Sequence, residues 1–441
     1  MRARRVANSA KLFATALLLM AQVWPQQQIS SLDRDRAQSM LNVVADEVHK
    51  HYYDQKMHGI DWGAQVAEAR QKIEKTSSMN MAMSEIAVLL ASLNDSHTFF
   101  LPPQHSNRFD SGWEYQMVGE HCFVTRVRPK SDAEAKGVKP GDEILTLDGY
   151  RPDRDNLWKM QYMFSVLRPQ PGFRLGLQDL AGNQRQVDVL TRVREGKRVT
   201  DLTASGGSNI WDVVREEENN EHLMRARYAE RGDQLIVLRV PEFAFSITEV
   251  DSMIDKVRKY PALIVDLRGN PGGSVETLKN LVGGLIDKEV KIGDRVGRKE
   301  SKPEVAKAGR HPFSGKLVVL VDARSASAAE LFARVIQLEK RGVVVGDRTS
   351  GKVMEAEHYN EKIGVDTVIF YGASVTEWDL VMTDGKSLEN NGVTPDEIVL
   401  PSAADLAAGR DPVMARAAEL LGVKVSPEEG GKFFPYEWPP E

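Results

Sequence analysis

Apolar positions change their rhythm twice along this chain. Between Ser31 and Leu93 they recur at helical spacing, with Leu41, Val44 and Val48 on one face and Ile86, Leu89, Leu90 and Leu93 on another. No proline interrupts them until Pro102-Pro103, so a helical section is expected there. From about Gly112 to Val199 the pattern shortens. Residues 123–127 alternate like a strand, residues 139–142 (Lys-Pro-Gly-Asp) read as a turn, and residues 143–147 form a second strand before Asp148-Gly149. Residues 206–233, which include Glu216, Glu217 and Glu218, read as a solvated connection. Beyond Asp233 the rhythm is α/β. Short β-branched runs at 235–238, 262–265, 317–321 and 343–345 alternate with helical stretches at 250–259, 275–285 and 328–338, as buried parallel strands and their crossover helices do. A last helix is expected over 412–421, followed by a Pro- and Gly-containing tail.

Composition narrows the classes. At 441 residues the chain is too long for one ordinary core, and 41% hydrophobic with 27% charged residues fits a soluble globular protein. A net charge of −5 gives no electrostatic footprint for nucleic acid. One cysteine, Cys122, excludes an internal disulfide framework and a cysteine-based zinc site. At the N-terminus, Arg2, Arg4, Arg5 and Lys11 precede an apolar run over 12–21 and then Pro25. That is the make-up of an export signal over residues 1–25, with an uncleaved anchor as the rival reading. No later segment is long and apolar enough to span a bilayer once the signal is removed.

Three loops carry the candidate chemistry. The run 317–321 leads into Asp322-Ala323-Arg324-Ser325-Ala326-Ser327-Ala328-Ala329-Glu330, which places a serine at a helix start. Free backbone N–H groups there favour developing negative charge, as a nucleophilic alcohol requires. The plain alternative is that Ser325 or Ser327 only caps the helix. Asp266-Leu267-Arg268-Gly269-Asn270-Pro271-Gly272-Gly273 follows the run 262–265, and its paired glycines let backbone approach a ligand. It lacks the spacing of a phosphate loop. Gly346-Asp347-Arg348-Thr349-Ser350-Gly351-Lys352 supplies a lysine that, if desolvated, can act as general base.

Together these segments resemble the C-terminal-processing (tail-specific) serine peptidase family, whose pattern is D-x-R-x-N-x-G-G, then S-A-S-A-x-E, then G-x-R-T-x-G-K. The resemblance covers roughly residues 30–400. Its serine-to-lysine interval of 25 residues selects Ser327 as nucleophile and Lys352 as base, with N–H groups of Gly272 or Gly273 and of Ala328 holding the oxyanion. Residues 133–149 are similar to the A-x-x-A-G-ψ-x-x-G-D-x-I-L-x-ψ-x-G core of a PDZ domain, with Lys136 in place of the second alanine and no glycine-rich carboxylate loop before Cys122. The implied fold is α/β: a crotonase-like (ClpP/crotonase-type) catalytic core with an inserted PDZ-like β-rich domain and an N-terminal helical section. The implied division is a signal peptide at 1–25, the helical section at 28–103, a PDZ-like domain at 104–205, the catalytic domain at 206–400 and a tail at 401–441.

The resemblance leaves the base open. Position 356 is Ala where the family's Ser–Lys members place glutamine, while Ser96-His97 and Glu389 match a tricorn-like branch that uses Ser–His with a glutamate. His97 is then the alternative base, Glu389 its orienting group or the substrate's, and Ser96 a supporting hydroxyl; the spacing with Lys352 favours the lysine. His358 is a fallback, and His49 and His51, two apart on a helix, diverge too far to chelate one ion. No metal or cofactor site is read. The expected activity is hydrolysis of peptide bonds in unfolded or C-terminally exposed polypeptides outside the cytoplasm, with periplasmic or extracellular placement. The alternative from another class is a non-catalytic peptide- or apolar-ligand-binding protein on the same scaffold.

Overall fold

The computed structural model describes residues 29–103, 107–195, 224–364 and 368–438. The expected signal segment and most of the connection at 206–233 lie outside them. Three helices open the described chain, α1 (Ser31–His51), α2 (Trp62–Glu74) and α3 (Met79–Ala91), capped by the side chains of Ser30, Asp61 and Ser78. The helical section is thus broken rather than continuous: Met57 and His58 take positive φ between α1 and α2. Met40, Leu41, Val44, Ile86, Leu90 and Leu93 pack as one core. Two strands follow, β1 (Phe99–Leu101) and β2 (Asn107–Asp110).

A five-stranded antiparallel sheet comes next, built from β3 (Trp113–Val118), β4 (His121–Val127), β5 (Glu143–Leu147), β6 (Gly172–Gln178) and β7 (Gln184–Leu190) in that order. Helices α4 (Asp132–Ala135) and α5 (Leu157–Tyr162) lie within it, and β8 (Arg192–Glu195) turns back to pair with β2. Trp113, Val124, Leu147, Leu175 and Leu177 form its own core. Because β3 ends the sheet, its outer edge pairs with no strand among the described residues.

The remaining chain forms two sheets. The parallel one contains β10 (Leu235–Arg239), β11 (Ala262–Asp266), β14 (Lys316–Val321), β15 (Val343–Gly346) and β18 (Glu397–Ile398), with β9 (Arg227–Arg231) antiparallel at one edge. Its strands are buried on both faces, which is why they read as unbroken apolar runs. One face receives α6 (Ile247–Val257), α7 (Val275–Gly283) and α8 (Ala328–Leu338). The second sheet is antiparallel: β12 (Val290–Gly297), β13 (Glu304–Ala306), β16 (Glu355–Ile363) and the long β17 (Ile369–Met382), which also takes β1 on its edge. Through Phe99↔Ser374 and Phe100↔Ala373 this pairing carries the N-terminal helices, and the loop before β1, up to the parallel sheet.

Residues after 401 hold the helix expected over 412–421 and two shorter helices beside it. Helices α9 (Ala403–Ala408), α10 (Pro412–Leu420) and α11 (Pro427–Gly430) follow, and Val413, Met414, Ala417 and Ala418 of α10 cover the second face of the parallel sheet. The chain then straps the antiparallel unit. The Tyr436 hydroxyl donates to Glu114 of β3, the Arg126 guanidinium lies 4.1 Å from the Tyr436 ring centre, and Arg128 lies 4.8 Å from that of Trp438. No described helix is long and apolar enough to cross a membrane.

Candidate active site

Ser327 sits between β14 and α8 with φ 53° and ψ −122°, a conformation that side chains avoid. The surrounding loops impose it. The Ser327 N–H donates to the Lys352 carbonyl (2.7 Å) and to Glu330 Oε2 (3.0 Å), and the Ala326 N–H donates to the Asn270 carbonyl (2.9 Å). The plain capping role fails for Ser327. The Glu330 N–H donates to the Ser327 carbonyl (2.9 Å), and the Ser327 hydroxyl makes no hydrogen bond among the described residues. Ser325 is the structural serine: fully buried, its hydroxyl donates to the Leu267 carbonyl (2.8 Å) and accepts the Asp322 N–H (3.0 Å).

The glycine loop lies against Ser327. A Cβ on Gly272, whose φ is +100°, would stand 2.5 Å from the Ser327 Cβ, so only glycine fits. Its N–H, however, is taken by Asn270 Oδ1 (2.7 Å), which corrects the assignment of Gly272 as an oxyanion donor. Among the described residues the Gly273 and Ala328 N–H groups carry no hydrogen bond, so they are the free pair beside Ser327.

Glu330 ties Ser327 to Lys352. Fully buried, its carboxylate accepts Thr349 Oγ1 (2.5 Å), the Gly351 N–H (2.7 Å), the Lys352 N–H (2.9 Å) and the Ser327 N–H (3.0 Å). Burial pushes its pKa up against these bonds. Lys352 is half-buried, and burial lowers its amine to about 8, opposed by the negative charges of Glu330 and Glu389. Its Nζ stands 4.7 Å from the ring centre of Trp158 on α5, a ring face that also favours the ammonium.

His97 approaches from the loop before β1. Asp95 fixes that loop, its Oδ1 accepting the His97 N–H (2.8 Å), the Thr98 N–H (3.0 Å) and Thr376 Oγ1 (2.8 Å). His97 Nδ1 lies 2.7 Å from Ser96 Oγ, which donates to Glu389 Oε2 (3.0 Å). A hydroxyl that gives its proton to Glu389 accepts from Nδ1–H, which leaves Nε2 as the imidazole's proton acceptor. Burial, with Lys352 and His358 nearby, lowers His97 to about 4 despite the Asp95 charge. Burial raises Glu389 to about 7, although the Ser96 and Val353 N–H groups (2.9 and 3.0 Å) favour its carboxylate.

Ser96, His97 and Lys352 thus face one cavity of about 460 Å³, together with Pro271, Ala326, Trp158 and the exposed His358. Ser327, Gly272, Gly273 and Ala328 form its neighbouring turn, and Glu389 stands behind Ser96. Neither Lys352 Nζ nor His97 hydrogen-bonds the Ser327 hydroxyl, and the imidazole titrates well below an ordinary histidine. Sequence reasoning assigned no role to Asn270 and Glu330, although both stand inside the quoted motifs. Asp95, one residue before Ser96, had a local signal too. Trp158 had none, since only the docking of α5 brings it near Lys352.

A serine on a strand-to-helix turn, with free N–H groups and two basic side chains about it, is an arrangement that can carry acyl transfer. The model of peptidase family S41 matches residues 234–399, the parallel sheet and its loops. The chain is 24% identical over 319 residues to the tail-specific protease of Haemophilus influenzae, covering 68% of this chain and 43% of that protein. Over 348 residues it is 26% identical to the carboxyl-terminal-processing peptidase 1, chloroplastic, of Arabidopsis thaliana, covering 74% and 64%. This chain therefore spans less than two thirds of either relative. Among solved structures, mature CPAF complexed with lactacystin has a TM-score of 0.64 at 18% identity, covering 89% of this chain and 98% of that one, a likeness of fold.

Proposed function

We propose that this protein is an exported serine peptidase of the C-terminal-processing type, hydrolysing peptide bonds in unfolded or C-terminally exposed polypeptides. The observation that carries the reading is the Ser327 hydroxyl: unbonded, in a strained turn, flanked by the free N–H groups of Gly273 and Ala328. In this mechanism Ser327 Oγ attacks the scissile carbonyl carbon and its proton passes to neutral Lys352. The carbonyl oxygen becomes an oxyanion held by the two N–H groups. Collapse breaks the C–N bond, and the leaving amine takes the proton back. Water then hydrolyses the acyl ester by the same route. An amine titrating near 8 is partly neutral at physiological pH and still basic enough to drive transfer, whereas an imidazole near 4 is a weak acceptor. Substrate closure brings Lys352 onto Ser327, since catalytic hydrogen bonds of an empty site are often long.

A second reading keeps Ser327 and makes His97 the base. The Glu389–Ser96–His97 relay favours it, because it holds the imidazole in the tautomer a base needs.

The core is read as crotonase-like and the antiparallel unit as a PDZ-like module. Support for the latter is the open outer edge of β3 and the position of α5, whose Leu157 and Trp158 share the active-site cavity with Tyr115 and Met117 of β3. Such an edge takes a peptide as an added strand. The basic and apolar residues at the N-terminus support export to the periplasm or beyond. The test is hydrolysis of an unstructured polypeptide, offered with a free C-terminal carboxylate and as its amide. Wild type should cleave, favouring the free acid, and Ser327→Ala should not. Equal cleavage by the folded alanine variant removes the mechanism; indifference to amidation removes only the recognition of chain ends.

A further inference from the structure

A second cavity, of about 770 Å³, opens at the carboxyl ends of the same parallel strands and contains none of the catalytic candidates. Arg239 ends β10, Arg268 follows β11, Asp322 follows β14, and Asp347 follows β15; all four line it. This end of an open α/β sheet is where ligands gather. Arg126 of β4 and Phe434 of the strap complete the wall.

All but one of these charges are matched within the protein. Arg268 pairs with Asp266 and Asp411, each at 2.8 Å. Arg126 pairs with Glu114 (2.7 Å), and Asp347 with Arg154 (2.6 Å). Asp322 Oδ1 accepts the Gly269 and Arg324 N–H groups at 2.9 and 3.0 Å. Arg239 is the exception. Among the described residues its half-buried guanidinium has no ion pair and no hydrogen bond, only the Phe434 ring centre at 5.8 Å. Asp266 stands beside it in register, but both of its oxygens are committed to the Arg268 side chain, at 2.9 and 2.8 Å. A cation held partly out of water whose neighbouring carboxylate is engaged by another arginine is costly, and an entering anion offsets that cost.

We propose that Arg239 anchors an oxyanion-binding site in this second cavity, where its planar fork takes a carboxylate or phosphate group in a field set by Arg126 and Arg268. The guanidinium geometry matches both groups. Burial and the positive charges of Arg268, Arg227 and Arg126 depress the Arg239 pKa despite Asp266, as expected where positive charge is in excess. The group has two possible sources, an acidic side chain of a bound polypeptide or a free anion. Gln116, Met117 and Arg324 line both cavities, so the two share a wall.

The experiment is calorimetric titration of the full chain carrying Ser327→Ala, at neutral pH and fixed ionic strength. The probes are inorganic phosphate, a short glutamate-rich peptide and its glutamine twin. Saturable binding of phosphate, of the acidic peptide or of both is expected, at least about tenfold weaker in Arg239→Gln and partly kept in Arg239→Lys. Saturation by phosphate alone identifies a free anion; by the peptide alone, a polypeptide carboxylate. The proposal is overturned if neither probe saturates, if the glutamine twin binds as well as the acidic peptide and phosphate does not bind, or if Arg239→Gln binds unchanged. Should the glutamine variant not fold, phosphate must still raise the melting temperature of the Arg239 protein beyond a chloride control, and no rise overturns it as well.

Discussion

Replacing Ser327 by alanine and by glycine separates the hydroxyl from the backbone conformation that carries it. Both changes remove the nucleophile, and neither removes a cap, since the hydroxyl accepts no helix N–H. Alanine keeps the Cβ and therefore the strain of φ 53° and ψ −122°, of order 1–3 kcal/mol for a side-chain-bearing residue. Glycine relieves it, against about 0.5–1 kcal/mol of extra chain entropy in the unfolded state. It also loses the burial of one methyl group, at most about 0.8 kcal/mol. Glycine should thus be the more stable variant by about 1 kcal/mol, and alanine should match wild type to within about 0.5 kcal/mol. Urea unfolding followed by tryptophan fluorescence reads the difference as a shift of midpoint at unchanged slope. A glycine variant less stable than the alanine one would show that the turn is not strained. An alanine variant that loses more than about 1 kcal/mol would show that the hydroxyl was capping after all.

With Lys352 as base, kcat/KM on an unstructured peptide should rise as the pH passes about 8, because the amine must lose its proton to accept another. Lys352→Ala should lower it by about 100-fold or more and His97→Ala by less; the reverse order assigns the base to His97. Gly272→Ala should cut activity by about 100-fold through the clash with Ser327, while Gly269→Ala, strained by its φ of +74° but meeting nothing within 4 Å, should cost stability and little activity; equal losses of activity would mean that contact with Ser327 is not the cause. Glu330→Gln turns an amide NH₂ toward a site of four donors and should cost about 2–4 kcal/mol in urea unfolding, and an unchanged midpoint refutes its bracing role.

The parallel sheet was legible because its strands are buried on both faces and its helices begin where the apolar runs stop. The helix over Ala328–Leu338 matched residue for residue. The second sheet was not legible. Along β16 the sequence EAEHYNEKI has no apolar face to betray a strand, and it is held by pairing with β17, a partner that no local pattern announces. Helix α10 was expected over 412–421, but its packing over the second face of the parallel sheet was not. Ser327 and Lys352 could be singled out because both lie in loops that follow apolar strands. The Ser96–Glu389 hydrogen bond joins residues 293 apart, and only resemblance to relatives suggested it. The Gly272 assignment failed because a side chain, Asn270, competes for an N–H that the backbone pattern left free.

The cover supplied by α10 also sets a clock on synthesis. A growing chain that has emerged as far as Glu389 already contains every candidate catalytic residue, yet Leu235, Ile264, Val318 and Leu320 still lack the helix that packs over them. Chains fold from the N-terminus as they are made, and an uncovered apolar face is prone to association. The core is therefore finished only when residues 412–425 pack onto the sheet, so a chain cut before them would keep the candidate site residues and leave this apolar face bare.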